Sequence, residues 1–139
     1  MIVIGWSELP SYAIDCINFL NLKKNLVVLT DNKKAKNLIK NSKVKIIDLS
    51  KNYTWKSLRV HKPNFFFFTG WNNKAFISLA RQKETKNICL IDNILKKNNL
   101  RQFFGRFYFK FFFNNIFDAV FVPGENSKKF IKYLGFKKF

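Results

Sequence analysis

Short apolar runs alternate along this chain with longer stretches of amphipathic spacing. Ile2 to Gly5, Asn25 to Thr30, Lys43 to Leu49, Phe65 to Thr69, Ile88 to Ile91 and Val120 to Val122 are short and rich in β-branched or aromatic residues, and read as six strands. Phe65 to Thr69 and the run Ala119 to Val122 are apolar without alternation, which predicts burial on both faces. Between the strands lie helical patterns. Ser11 to Leu22 places Ala13, Ile14, Ile17, Phe19 and Leu20 on one apolar side. Asp31 or Asn32 caps a short helix through Asn41, and Thr54 to His61 forms another that Pro63 ends. Asn72 or Asn73 starts a helix to about Lys83, and Leu100 to Ile116 is a long one. After the Pro123-Gly124 stop, Asn126 or Ser127 caps a last helix that Gly135 ends.

Strands that alternate with helices require right-handed crossovers, hence a mainly parallel sheet with helices on both sides. The expected fold is a Rossmann-like three-layer α/β/α sandwich with about six strands, and 139 residues fit one such domain. Ligands on such sheets sit at the carboxyl ends of the strands, where strand order reverses. That rule selects Gly5, Trp6 and Ser7, Thr30 to Asn32, Thr69, Gly70 and Trp71, Asp92 and Asn93, and Pro123, Gly124, Glu125 and Asn126. Asp31, Asp92 and Glu125 each follow a strand, where a carboxylate can bind hydroxyls, act as a base, or simply cap a helix or turn. Gly124 reads as a turn position that a β-branched residue would damage.

Several chemistries lack their residues. Gly5-Trp6-Ser7-Glu8-Leu9-Pro10 carries no Gly-x-Gly-x-x-Gly and no Walker lysine, so the first turn is a poor dinucleotide or ATP site. Nucleophile elbows, Cys-x-x-Cys pairs and metal-binding His-Glu-x-x-His helices are missing from the sequence, and no metal site is expected. His61, the sole histidine, falls beside Pro63 and away from the predicted binding edge. Cys16 and Cys89 lack ligand spacing and read as two buried thiols in a reducing compartment.

A hydrophobic fraction of 47% argues against a disordered tail, and no run long enough to span a bilayer interrupts the charges. Met1-Ile2-Val3-Ile4-Gly5 reads as a first strand without a basic leader, giving the expectation of a cytoplasmic protein. The net charge of +18 invites an anionic partner. Only Arg59, Arg81, Arg101 and Arg106 are arginine, however, and Lys, Asn, Ile and Phe are all over-used, as AT-rich coding produces without any partner. Recognised nucleic-acid motifs are missing, so specific nucleic-acid binding is not expected.

Leu90-Ile91-Asp92-Asn93, Leu100-Arg101-Gln102, the run Phe117-Asp118-Ala119-Val120-Phe121-Val122-Pro123-Gly124-Glu125 and Tyr133-Leu134-Gly135-Phe136 together resemble the end of the N-terminal domain of GT-B glycosyltransferases, especially bacterial family 4 members. The resemblance implies an acceptor-binding half that works with a C-terminal nucleotide-sugar domain, supplied in cis or in trans. It implies a nucleotide-sugar donor bound in that second domain, no cofactor in this one, and a glycan or lipid-linked cell-envelope acceptor. It further implies that these residues are inactive by themselves. Asp92 stands where the superfamily often has a histidine and is the candidate catalytic residue. Gly5, Trp6, Ser7, Gly70, Trp71, Asn93, Gln102, Gly124, Glu125 and Asn126 are the candidate acceptor-binding residues.

The Leu100 to Ile116 helix carries eight rings from Phe103 to Phe113, interrupted by a stripe of Gln102, Arg106, Lys110 and Asn114. One sheet face cannot cover a helix that is apolar over most of its circumference. Some rings are left for another domain, another subunit or lipid, and Arg106, Phe107, Lys110 and Phe111 are the candidates to face an anionic membrane at the inner leaflet. Two other classes fit the same sequence: a non-catalytic Rossmann-like adaptor for an anionic membrane or a protein, and a lysine-covered surface that binds nucleic acid without sequence preference.

Overall fold

The computed structural model of the protein describes residues 1–20, 25–49, 54–61, 63–82, 85–96, 100–113 and 115–136. Its strands are β1 (Ile2–Gly5), β2 (Leu26–Thr30), β3 (Val44–Asp48), β4 (Phe65–Thr69), β5 (Lys86–Leu90) and β6 (Ala119–Phe121). Its helices are α1 (Ser11–Phe19), α2 (Ala35–Leu38), α3 (Lys74–Arg81), α4 (Leu100–Phe112) and α5 (Glu125–Leu134). The six strands form one sheet in the order β3-β2-β1-β4-β5-β6, and every pairing is parallel. The fold is therefore a Rossmann-like α/β sandwich, with its order reversal between β1 and β4.

Strand alternation divides the core in two. Val3, Val27, Leu29, Phe66, Phe68, Cys89 and Val120 point to one side, where Trp55, Phe76, Leu79, Phe109, Phe117, Phe130 and Ile131 complete the larger cluster. Gly5 lies on that side too. A Cβ there would stand 2.9 Å from Phe76 Cε1 and 3.0 Å from Phe66 Cε2, so the close approach of the α3 ring to β1 depends on glycine. The opposite side holds a smaller cluster, in which Leu9, Ala13, Ile14 and Ile17 cover Leu26 and Val28. It does not extend over β4 to β6, and Phe65 and Phe121 remain 42% and 58% exposed.

This asymmetry corrects two sequence expectations. Phe65 to Thr69 is buried on one face only, through Phe66 and Phe68, and β6 is an edge strand with one buried residue, Val120. An unalternating apolar run resembles a doubly covered strand whether or not a second helix layer arrives; only β2 is buried throughout.

Element ends moved where polar side chains bind the backbone locally. Thr54 to Arg59 is a set of turns and no helix: Thr54 and Ser57 exchange side-chain bonds, and Arg59 takes a left-handed φ of 51°. In place of a longer helix, Asn32 Oδ1 accepts from Lys34 N at 3.0 Å in an Asx turn, confining α2 to four residues. α1 ends at Phe19, which is 87% exposed and off the apolar side expected of it, as is Leu20. The remaining expected turn of that helix, residues 21–22, lies outside the described residues. α4 likewise stops at Phe112. Asn73 does cap α3, its Oδ1 accepting from Ala75 N and Phe76 N, and Gly135 ends α5 at φ 87°.

Candidate functional site

Trp6, Gly70 and Trp71 follow β1 and β4 on either side of the order reversal, and Asp92 and Asn93 come just after β5. Together with Tyr12, Thr69, Asn72, Arg101, Phe121 and Pro123 they line one hollow of about 460 Å³ at the carboxyl ends of the strands. That is within the usual size of a small-molecule site. Its wall combines four flat aromatic side chains with one carboxylate, two side-chain amides and one guanidinium.

Each of these groups has a structural reason for its place. Gly70 carries φ 73° and its carbonyl accepts from Asn73 N at 2.8 Å, so the chain turns sharply out of β4 into the α3 cap and leaves Trp71 at the rim. Trp71 stands edge-on to Phe109 and Phe113, with centroids 6.1 and 5.7 Å away, which ties the hollow to α4. Trp6 meets Tyr12 edge-on at 5.9 Å. The Asp92 carbonyl accepts from Ser127 Oγ at 3.2 Å, fixing the end of β5 against α5 while its carboxylate stays exposed.

The other expected site residues fall elsewhere. Gly5 is filled over by Phe66 and Phe76, as described, and makes no wall. Ser7 is a brace: its carbonyl accepts from Thr30 Oγ1 at 2.7 Å and its hydroxyl from Asn73 Nδ2, joining β1, β2 and α3 behind the hollow. Gln102 straps the segment after β5, donating to the Ile94 carbonyl at 2.8 Å and accepting from Lys96 N at 2.8 Å. Glu125 opens α5 and pairs with Lys128 at 3.1 Å, three residues on, and Asn126 is exposed on the same turn. Neither is in the wall, because the turn after β6 carries them past it.

The cap of α5 also differs from expectation. Gly124 is the N-cap residue in extended backbone, Lys128 N donates to its carbonyl at 3.0 Å, and Ser127 is committed to Asp92. A Cβ on Gly124 would meet nothing within 4 Å, so the turn does not need glycine. Tyr12 and Arg101 were missed by the sequence reading. Tyr12 faces the hollow from the first turn of α1, and the Arg101 position beside Gln102 was the only available signal for it.

No protein-family model, curated protein or solved structure matches this chain.

Remaining chemistry lies away from this edge. His61 borders a different hollow, with Met1, Asn25 and Lys43, toward the amino ends of the strands. Asp118, within the Phe-Asp pair quoted above, closes the bottom of the sheet: its carboxylate accepts from Asn87 N at 2.9 Å and Lys86 Nζ at 3.2 Å. Cys89 is buried, and burial pushes its thiol far above the ordinary range, whereas Cys16 is exposed on α1 and corrects the expectation of two buried thiols. Among the described residues no group of three His, Cys, Asp or Glu converges to hold a metal, and no helix is long and apolar enough to cross a membrane.

Proposed function

We propose that the hollow at the β1/β4 reversal is a carbohydrate-acceptor site and that the chain is the acceptor-side half of a GT-B-type glycosyltransferase. The observation that carries this reading is the composition of the wall. A sugar ring offers C–H faces and a hydroxyl edge, and the wall offers Trp6, Tyr12 and Trp71 for the former and Asp92, Asn72 and Asn93 for the latter. The motif resemblance over Leu90 to Phe136 points the same way, and the position at a topological switch point is where such a sheet binds ligands.

In the reaction, an acceptor hydroxyl oxygen bonds to the anomeric carbon of a nucleotide-activated sugar as the bond from that carbon to the diphosphate oxygen breaks. The hydroxyl proton passes to the Asp92 carboxylate, and the nucleoside diphosphate leaves with the electron pair. Donor and leaving-group contacts come from a nucleotide-sugar domain joined in cis or in trans. A cell-envelope glycan or lipid-linked glycan at the inner face of the cytoplasmic membrane is the acceptor class.

The test begins with acceptor binding to the 139-residue chain. Titration with methyl glycosides and short oligosaccharides should change the tryptophan emission, and Trp6→Phe, Trp71→Phe and Asp92→Asn should each weaken the response roughly three- to tenfold. Adding a nucleotide-sugar domain that carries a Glu-x7-Glu motif should then give radiolabelled transfer, which Asp92→Asn lowers. No emission response to any saccharide, with no transfer, would leave the non-catalytic adaptor as the better account.

A further inference from the structure

Of the eight rings on and beside α4, only Phe109 and Phe113 enter the core; Phe103, Phe104, Phe107, Tyr108, Phe111 and Phe112 are all exposed, as is Leu100. At about 100° per residue, Leu100, Phe104, Phe107 and Phe111 fall along the middle of the side opposite Phe109. Phe103 extends that apolar arc one way, Tyr108 and Phe112 the other. Arg106 and Lys110 lie on one shoulder of the arc and Arg101 on the far shoulder. The helix holds no acidic residue. Arg106 is steadied over the Tyr133 ring, its Cζ 5.3 Å from the centroid.

We infer that α4 is an interfacial helix that lies in the plane of an anionic lipid bilayer, with Phe104, Phe107 and Phe111 in the acyl boundary and the three cations at the headgroups. An aromatic arc bordered by Arg and Lys is the pattern of such helices. At 13 residues, or about 20 Å, α4 is too short to span. Charge selects the occupant. A net +18 on every copy, with cations on both shoulders, opposes a face-to-face pair of these chains and attracts a surface rich in phosphate. Arg101 belongs to both features, so docking brings the hollow at the strand ends to the membrane surface. The inference does not depend on what the hollow binds.

The test is co-sedimentation of the full chain with vesicles of phosphatidylcholine alone and with 30% phosphatidylglycerol. Phe104 and Phe111 are 67% and 75% exposed, so Phe104→Ser with Phe111→Ser should leave the thermal midpoint unchanged. Binding to the anionic vesicles should exceed binding to neutral ones by roughly tenfold or more and fall about tenfold in the double variant. Arg101→Gln with Lys110→Gln should lower it by a similar factor and flatten its salt dependence. A single Phe111→Trp chain gives a second readout: anionic vesicles should shift its emission to the blue relative to the parent, and brominated lipid should quench it. Vesicle binding insensitive to the serine pair, with no quenching at position 111, would overturn the inference and leave general lysine attraction, which poly(U) should then match. A parent dimer in sedimentation velocity that the serine pair converts to monomer would also overturn it, in favour of a second copy as the cover.

Discussion

Replacing Asn87 tests the least expected part of this core. The residue is 2% exposed on the core side of β5, and its side-chain amide donates to the Ala80 carbonyl at the end of α3 at 2.8 Å and to the Ile116 carbonyl after α4 at 3.0 Å. One side chain thus joins the last turn of α3 to the loop that leads into β6. Asn87→Ala removes both bonds, each worth about 1 kcal/mol net, and leaves the Ile116 carbonyl short of a donor at about 1–3 kcal/mol, whereas the Ala80 carbonyl keeps the Gln82 N–H and the variant also sheds the buried, unpartnered Asn87 Oδ1. These are overlapping accounts of one loss, and α3's end can draw in some water, so the expected cost is about 1–3 kcal/mol. Asn87→Leu keeps the branched heavy-atom outline but replaces the amide by two larger methyl groups, and should cost at least as much, because the donor is lost and the methyls need extra room. Urea unfolding followed by tryptophan emission reads the effect. With a slope of about 1–3 kcal/mol/M, a 3 kcal/mol loss moves the midpoint down by about 1–3 M at unchanged slope. If Asn87→Leu unfolds at the parent midpoint, the amide is not what holds α3 to that loop.

Further outcomes follow from contacts already described. Gly5→Ala drives a methyl into Phe66, Phe68 and Phe76, and should cost about 1–3 kcal/mol in the same urea assay. Gly124→Ser, by contrast, meets open space and supplies a cap hydroxyl, so it should be neutral or stabilising by a few tenths of a kcal/mol on about the scale of such caps. Glu125→Ala should leave saccharide binding unchanged, which separates it from Asp92→Asn. For the thiols, Ellman's reagent should titrate Cys16 alone in the native chain and both residues after unfolding. The Cys89 thiol is raised in the fold, so the unfolded chain loses its proton first; stability present below an ordinary thiol pKa of about 8.5 should decline above it, by at most about 1.4 kcal/mol per pH unit. Cys89→Ala should remove that decline.

Hydrophobic period and turn residues were enough to place every strand, because a parallel sheet needs apolar runs of limited length separated by crossovers. Asn73, one of the two residues read as the start of α3, and Gly135 mark helix ends for the same local reason: a cap bond and a left-handed φ involve only neighbouring backbone. The start of β5 was not legible. Lys86 and Asn87 look like loop, and become strand only because Asp118 and the Ala80 and Ile116 carbonyls meet them from distant parts of the chain. The site divided along the same line. Trp6, Gly70, Trp71, Asp92 and Asn93 could be read from the rule that ligands gather beyond strand ends, whereas Glu125 and Asn126 satisfy that rule and still miss the hollow, since the turn direction after β6 decides where they go.

By itself, then, the sequence determined the layered α/β fold and the carboxyl edge of the sheet, where the hollow lies, both consequences of pattern along one dimension. Tertiary structure alone decided which apolar residues are core. Phe109 and Phe104 are the same residue type one and a half turns apart, yet one is fully buried among Trp71, Phe113 and Phe136 and the other is open to solvent. Burial depends on what arrives from elsewhere to cover a side chain, and α1 covers only one half of its side of the sheet.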